Sequence, residues 1–156
     1  MKELVLANTD KVALVDDEDF VRVKDSKWYL TGNASGSIVK YKRFMEIKLC
    51  YALASVIMNT KLMYDHIDRN PLNNCKSNLR VCSYSQNSMN RRKIEGTTSK
   101  YRGVGLKKNG RWYASIKLEG VKKHIGYFDT ENAAALAYNI EATKLFGSFA
   151  LLNEIN

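Results

Sequence analysis

The sequence predicts an α+β protein in two parts, on three observations. Short runs of alternating polarity recur along the chain, residues 62–90 read as strand, loop, strand and short helix, and the last third reads as three strands followed by one alanine-rich helix. With 45% hydrophobic and 26% charged residues among 156, the chain has the balance of a folded globular protein.

Lys2 to Ala7 and Lys11 to Val15 are expected strands, and Asp16 or Asp17 is placed to cap a helix in DDEDFVRVK. Trp28 to Leu30 and Ser37 to Arg43 are further expected strands, separated by the glycine-bearing loop TGNASG. This small α/β region has no histidine and its acids cluster on one helix turn, so a scaffold is expected of it. DNA contact through Lys40, Lys42 and Arg43 is the sharper alternative.

The longest apolar run, Ile47 to Met58, carries Lys48 and is too short to cross a bilayer, so no membrane partner is expected. MKELVLANTD has Glu3 and no extended apolar core, and does not read as a secretion signal; an intracellular location is expected. Cys50, Cys75 and Cys82 form no CxxC pair, which argues against a disulfide framework or a zinc ribbon and for free thiols.

The formal net charge is +9, and its distribution is uneven. Met1 to His66 holds 10 basic and 9 acidic residues, whereas Ser99 to His124 holds 8 basic residues and one acid. Such segregation suits a polyanion, because each cation near a phosphate releases a condensed counterion.

From Lys61 the chain reads KLMYDHIDRNPLNNCKSNLRVCSYSQNSMNRRK. A strand, Leu62 to Asp65, leads into an asparagine-rich turn with Pro71; a second strand, Leu79 to Cys82, feeds a short polar helix from Ser83 or Ser85. Asp65 and His66 are adjacent at a strand end, so they point to opposite faces and can serve different partners. Asn78 follows His66 by 12 residues and Asn87 by 21.

This DH…N…N pattern, with DHIDRNPLNN, SNLRVC and SQNSMNRR around it and VALVDDEDF and KWYL ahead of it, resembles the HNH homing endonucleases of phages and group I introns over residues 10–93. The resemblance implies a ββα-metal nuclease core at about residues 60–93 and hydrolysis of a phosphodiester in duplex DNA. It implies His66 as general base, Asn78 as the brace of the loop, and Asp65 and Asn87 as ligands of a divalent cation. An imidazole with an unperturbed pKa of about 6.5 can accept a proton near neutrality. One carboxylate and one amide oxygen form a hard, incomplete shell that favours Mg²⁺ or Mn²⁺. Asn90, one helical turn on, is the competing ligand, and Arg91 and Arg92 are expected DNA contacts. No small-molecule cofactor is expected. A DNA-binding regulator with a degenerate nuclease core is the alternative.

KIEGTTSK, Lys93 to Lys100, is polar and without apolar period and reads as a linker, giving domains 1–93 and 101–156 joined by 94–100. In the last part, alternation sorts Trp112, Ala114, Ile116 and Leu118 to one side of a strand and Arg111, Tyr113, Ser115 and Lys117 to the other. The apolar side is expected to meet the helix, which is capped at Asp129 or Thr130 and stopped by Gly147.

YRGV, GRWYASI and IGYFDTENAAALAYNIEATKLFGSFALLN are similar to the Apetala-two, or ethylene-response-factor-type, DNA-binding domain over residues 100–153. The resemblance implies a three-stranded sheet that enters the major groove, with Arg102, Lys107, Arg111, Tyr113, Ser115, Lys117, Lys122 and His124 facing DNA. Gly105, Asn109, Ser115 and His124 depart from the plant pattern, so no base preference carries over. One active site per chain makes nicking natural, and a monomer is favoured.

Overall fold

The computed structural model describes residues 1–31, 37–44, 47–90 and 98–155, with the side chains of 41–49 outside that description. The chain divides into two compact units, Met1–Ser83 and Tyr84–Asn156. Among the described residues the architecture is mixed, with helices and four small antiparallel sheets. Residues 94–97 of the expected linker, and the TGNASG loop from residue 32, lie outside the described residues.

In the first unit, strands β1 (Lys2–Val5) and β2 (Val12–Val15) form an antiparallel hairpin, and helix α1 (Asp17–Val23) follows at once. Strands β3 (Tyr29–Leu30), β4 (Ile38–Phe44) and β5 (Ile47–Ala52) make a second sheet, and α2 (Leu53–Ile57) closes it. The third sheet is the pair β6 (Tyr64–His66) and β7 (Leu79–Val81), with a 3₁₀ turn at Lys76–Asn78 in the connection. Val15, Val23, Trp28 and Leu53 are fully buried at the centre of this unit. The Trp28 indole N–H donates to the Val23 carbonyl at 2.9 Å, so the largest core side chain leaves no orphan donor.

β2 also reaches across to the β6–β7 connection. The Leu14 N–H donates to the Leu72 carbonyl at 2.7 Å and the Leu14 carbonyl accepts from Asn74 at 2.8 Å. A single strand edge thereby satisfies the backbone of a loop that has no ladder of its own.

The second unit opens with α3 (Tyr84–Met89), followed by strands β8 (Val104–Leu106), β9 (Trp112–Leu118) and β10 (Val121–Phe128), and helix α4 (Glu131–Phe146). β9 is the central strand. The β9–β10 turn is two residues, Glu119 and Gly120, with φ of 49° and 87°, the pattern of a type I′ hairpin. As the alternation predicts, Ala114 and Ile116 are buried against Ala134, Ala135, Tyr138 and Ala142 of α4. Alanines let the helix lie close on the sheet. Thr130 is the cap, its hydroxyl accepting from the Ala133 N–H at 3.2 Å, and Gly147 at φ 53° ends the helix. No helix among the described residues is long and apolar enough to cross a membrane.

Candidate hydrolytic site and nucleic-acid face

Asp65 and His66 sit on β6, in register with Arg80 and Leu79 of β7. The His66 ring meets Tyr64 edge-on at 5.9 Å, so these two share one face of the strand, and Asp65 takes the other. Asp65 is 7% exposed, and its Oδ2 accepts from Arg80 Nε at 3.0 Å and Nη2 at 2.7 Å. A buried carboxylate is tolerated only with such a partner.

The connection between β6 and β7 is built by asparagines. Asn78, buried, donates through Nδ2 to Asp68 Oδ1 and to the Asn73 carbonyl, both at 2.8 Å, and its Oδ1 accepts from the Asp68 N–H at 3.0 Å. Asp68 also accepts from the Asn70 N–H and from Asn73 Nδ2, each at 2.8 Å. Burial would raise the Asp68 carboxyl, but these donors and the nearby His66 outweigh it and hold it below the usual carboxylate range.

Asn74 is 2% exposed and makes the contact with the imidazole. Its Nδ2 donates to the Pro71 carbonyl at 2.8 Å, which turns Oδ1 toward His66 Nε2 at 3.3 Å. An amide oxygen only accepts, so Nε2 carries the proton and Nδ1 carries the lone pair. Burial lowers the His66 pKa, opposed by the Asn74 contact and by the charges of Asp68 and Asp65.

The structure thus brings Asn78 into the loop beside His66, bonded to Asp68 and Asn73, while Asn74 is the amide on the ring. Asn74, Asp68 and Arg80 were not singled out by the sequence reading. The NPLNN run reads as turn formers, and only the β6–β7 register sets Arg80 opposite Asp65. Asn87 lies on α3, in the second unit, with Asn90 just beyond and buried. Arg91 and Arg92 lie outside the described residues.

Among the described residues no group of three or more His, Cys, Asp or Glu could hold a metal ion. Asp65 fits a hard divalent cation in kind, as an oxygen donor, but a cation there shares the carboxylate with the Arg80 guanidinium.

In the second unit, the exposed side of the sheet carries a cluster of cations and rings. The ammonium groups of Lys107 and Lys122 lie over the Tyr113 ring at 5.5 and 5.7 Å. His124 packs on Tyr127 at 4.6 Å, and Arg111 lies 5.9 Å over the same ring. Lys117 is exposed and is the cross-strand partner of Lys122. Tyr127 joins this face although simple alternation from His124 would put it on the other side, because a register shift between His124 and Gly126 brings it opposite Tyr113.

Two of the expected contacts are placed differently. Ser115 is 9% exposed, and the Arg102 guanidinium donates to the Ser88 carbonyl at 3.3 Å. Gly105 has a physical role here, because a Cβ at that position would come within 2.6 Å of Tyr113 Cζ and Oη. The absent side chain makes room for the ring. On the other side of the sheet unit, Lys123 pairs with Glu141 of α4 and is drawn away from the cluster.

A half-buried imidazole and a buried carboxylate on successive residues, at the end of a two-stranded hairpin, make this the candidate site. Comparison with known proteins gives the class a family. Over 148 residues, 92% of the chain, it is 35% identical to an uncharacterized HNH endonuclease of Acanthamoeba polyphaga mimivirus, covering 75% of that protein. Over 87 residues, 55% of the chain, it is 32% identical to Protein 3.8 of Escherichia phage T7, covering 71% of it. Over 55 residues it is 44% identical to dehydration-responsive element-binding protein 2D of Arabidopsis thaliana, of which it covers 27%. No family model and no solved structure matches. On the extent of the mimivirus match, the chain belongs to the HNH endonucleases.

Proposed function

We propose that the protein is a metal-dependent endonuclease of duplex DNA, of the site-preferring homing type, with His66 as general base. The observation that carries this reading is the Asn74–His66 contact, in which an accepting amide oxygen favours the proton on Nε2 and the basic lone pair on Nδ1. Nδ1 takes a proton from a water as the water oxygen attacks phosphorus. The bond from phosphorus to the leaving oxygen breaks, and the proton passes from the ring to the leaving group or to solvent. A positioned base of this kind contributes about 10² to 10⁴ in rate.

Asp65 and Asn87 are the residues that would hold Mg²⁺ or Mn²⁺. Such a cation, when bound, offsets the negative charge that develops on the phosphate and the leaving oxygen. Asn78 acts on the loop and not on the substrate.

The second unit supplies the grip on DNA. Lys107, Arg111, Lys117 and Lys122 are placed for phosphates, which set register, while Tyr113, His124 and Tyr127 offer ring edges to the bases. The β9–β10 ribbon of this sheet is the kind of element the major groove admits. The similarity to a plant protein named as a dehydration-responsive element-binding protein supports this reading.

The test is relaxation of supercoiled plasmid by the purified full chain. Cutting that requires added Mg²⁺ or Mn²⁺ and stops with a chelator is the expected result. DNA binding with no cutting in either metal would replace this reading by that of a DNA-binding regulator with a degenerate core.

A further inference from the structure

Asp16 occupies the position before the first turn of α1, where a carboxylate ordinarily caps the helix, yet it makes no cap bond with its side chain. Its Oδ2 instead accepts from the backbone N–H of Lys76 at 2.7 Å, sixty residues along the chain. The Asp19 and Phe20 N–H groups donate to the Asp16 backbone carbonyl, at 3.1 and 2.9 Å. The side chain has been diverted from its local duty to a distant loop.

A second tie runs through charge. The Lys76 ammonium pairs with Glu18 and with Asp19. Asp19 is 1% exposed; its Oδ1 accepts from Arg22 at 2.7 Å, and the Lys76 ammonium stands 3.0 Å from its buried Oδ2. The third tie is the pair of backbone bonds from Leu14 to Leu72 and Asn74. Residues 14–19 therefore grip the segment 72–76 on both sides of Asn74, whose amide oxygen fixes the His66 tautomer.

We propose that Asp16 and Asp19 are positioning residues of the His66 site. They hold the turn from Leu72 to Asn78 in the one shape that brings Asn74 Oδ1 to His66 Nε2. The hairpin and α1 are then part of the catalytic apparatus, although no side chain of theirs meets substrate. The inference deepens the nuclease reading and rests on it for its consequence in rate. Its structural half, control of the imidazole tautomer, stands apart from catalysis.

The experiment uses the full chain and the variants Asp16→Ala, Asp16→Asn and Lys76→Met, with circular dichroism to establish folding. Two readouts are taken: nitrogen-15 chemical shifts of the His66 ring, which report the tautomer, and the kcat and KM of Mg²⁺-dependent plasmid nicking. Asp16→Ala is expected to convert a single Nε2–H tautomer into a mixture and to lower kcat about 10- to 100-fold with KM unchanged, as for a misplacement of about 1 Å. Asp16→Asn keeps an oxygen for the Lys76 N–H and is expected to restore both readouts.

If Asp16→Ala does not fold, Lys76→Met decides. It leaves the Asp16 bond in place, cuts only the charge tie, and is expected to move both readouts in the same direction by less. A folded Asp16→Ala or Lys76→Met chain with the wild-type tautomer overturns the proposal, as does Asp16→Asn as damaged as Asp16→Ala. A wild-type chain that fails to nick while the tautomer responds as stated would sink the nuclease reading and leave the positioning role upheld.

Discussion

Replacing Asn78 by alanine removes three side-chain hydrogen bonds at one stroke. Two are ordinary, to the Asn73 carbonyl and from the Asp68 N–H; the third, to the Asp68 carboxylate, is charge-assisted. Ordinary bonds contribute about 1 kcal/mol each and one to a charged group about 1.5–3, giving roughly 3.5–5 kcal/mol at face value. Asp68 is exposed, so water replaces part of what it loses, and the charge-assisted bond is discounted for that screening. About 2–4 kcal/mol is the expected loss, a large share of a typical stability of about 5–15 kcal/mol. Urea titration of the full chain followed by circular dichroism measures it. Asn78→Ala within about 0.5 kcal/mol of wild type, the range of an ordinary surface change, would refute the claim that this amide holds the β6–β7 connection together.

Three further outcomes follow from other parts of the structure. Arg80→Met deprives the buried Asp65 carboxylate of its guanidinium and is expected to cost about 2–4 kcal/mol in the same titration, partly recovered by added Mg²⁺; a neutral effect would show that Asp65 does not depend on the pair. Asp68 is held below its usual pKa in the folded chain, so its contribution is full above the unfolded value of about 3.9 and is lost as pH falls through the lower folded value. The acid-induced loss of stability in that window is expected to shrink in Asp68→Asn, and an unchanged profile would contradict the assignment. Gly103→Ala places a Cβ 2.2 Å from the Tyr138 ring at a φ of +74°, combining left-handed strain of about 1–2 kcal/mol with overpacking of about 1–3. Faster hydrogen exchange across 98–155 is expected, and wild-type protection there would show that the turn adapts.

How much of this was legible beforehand depended on the range of the interaction. Thr130 and Gly147 bracket α4 because capping is decided within a few residues, and the alternation of β9 predicts which side meets the helix because a strand has a fixed period. The run Ile47 to Met58 hid β5 and α2, since a continuous apolar stretch has neither period. Asn74 read as a turn former like its neighbours. Its importance comes from burial beside His66 and from a strand edge sixty residues earlier, and neither is local. Asp16 or Asp17 is the helix cap the sequence offers; Asp16 occupies that position, but its carboxylate is spent on Lys76.

On the proposed mechanism the imidazole of His66 takes the proton in phosphodiester hydrolysis. Single-turnover cleavage of an end-labelled duplex, with saturating protein and Mg²⁺, isolates that step from binding and release. His66→Ala should bind the duplex with wild-type affinity and cut it about 10² to 10⁴ times more slowly. A variant that cuts at the wild-type rate, or a wild type that binds and never cuts, would contradict the account.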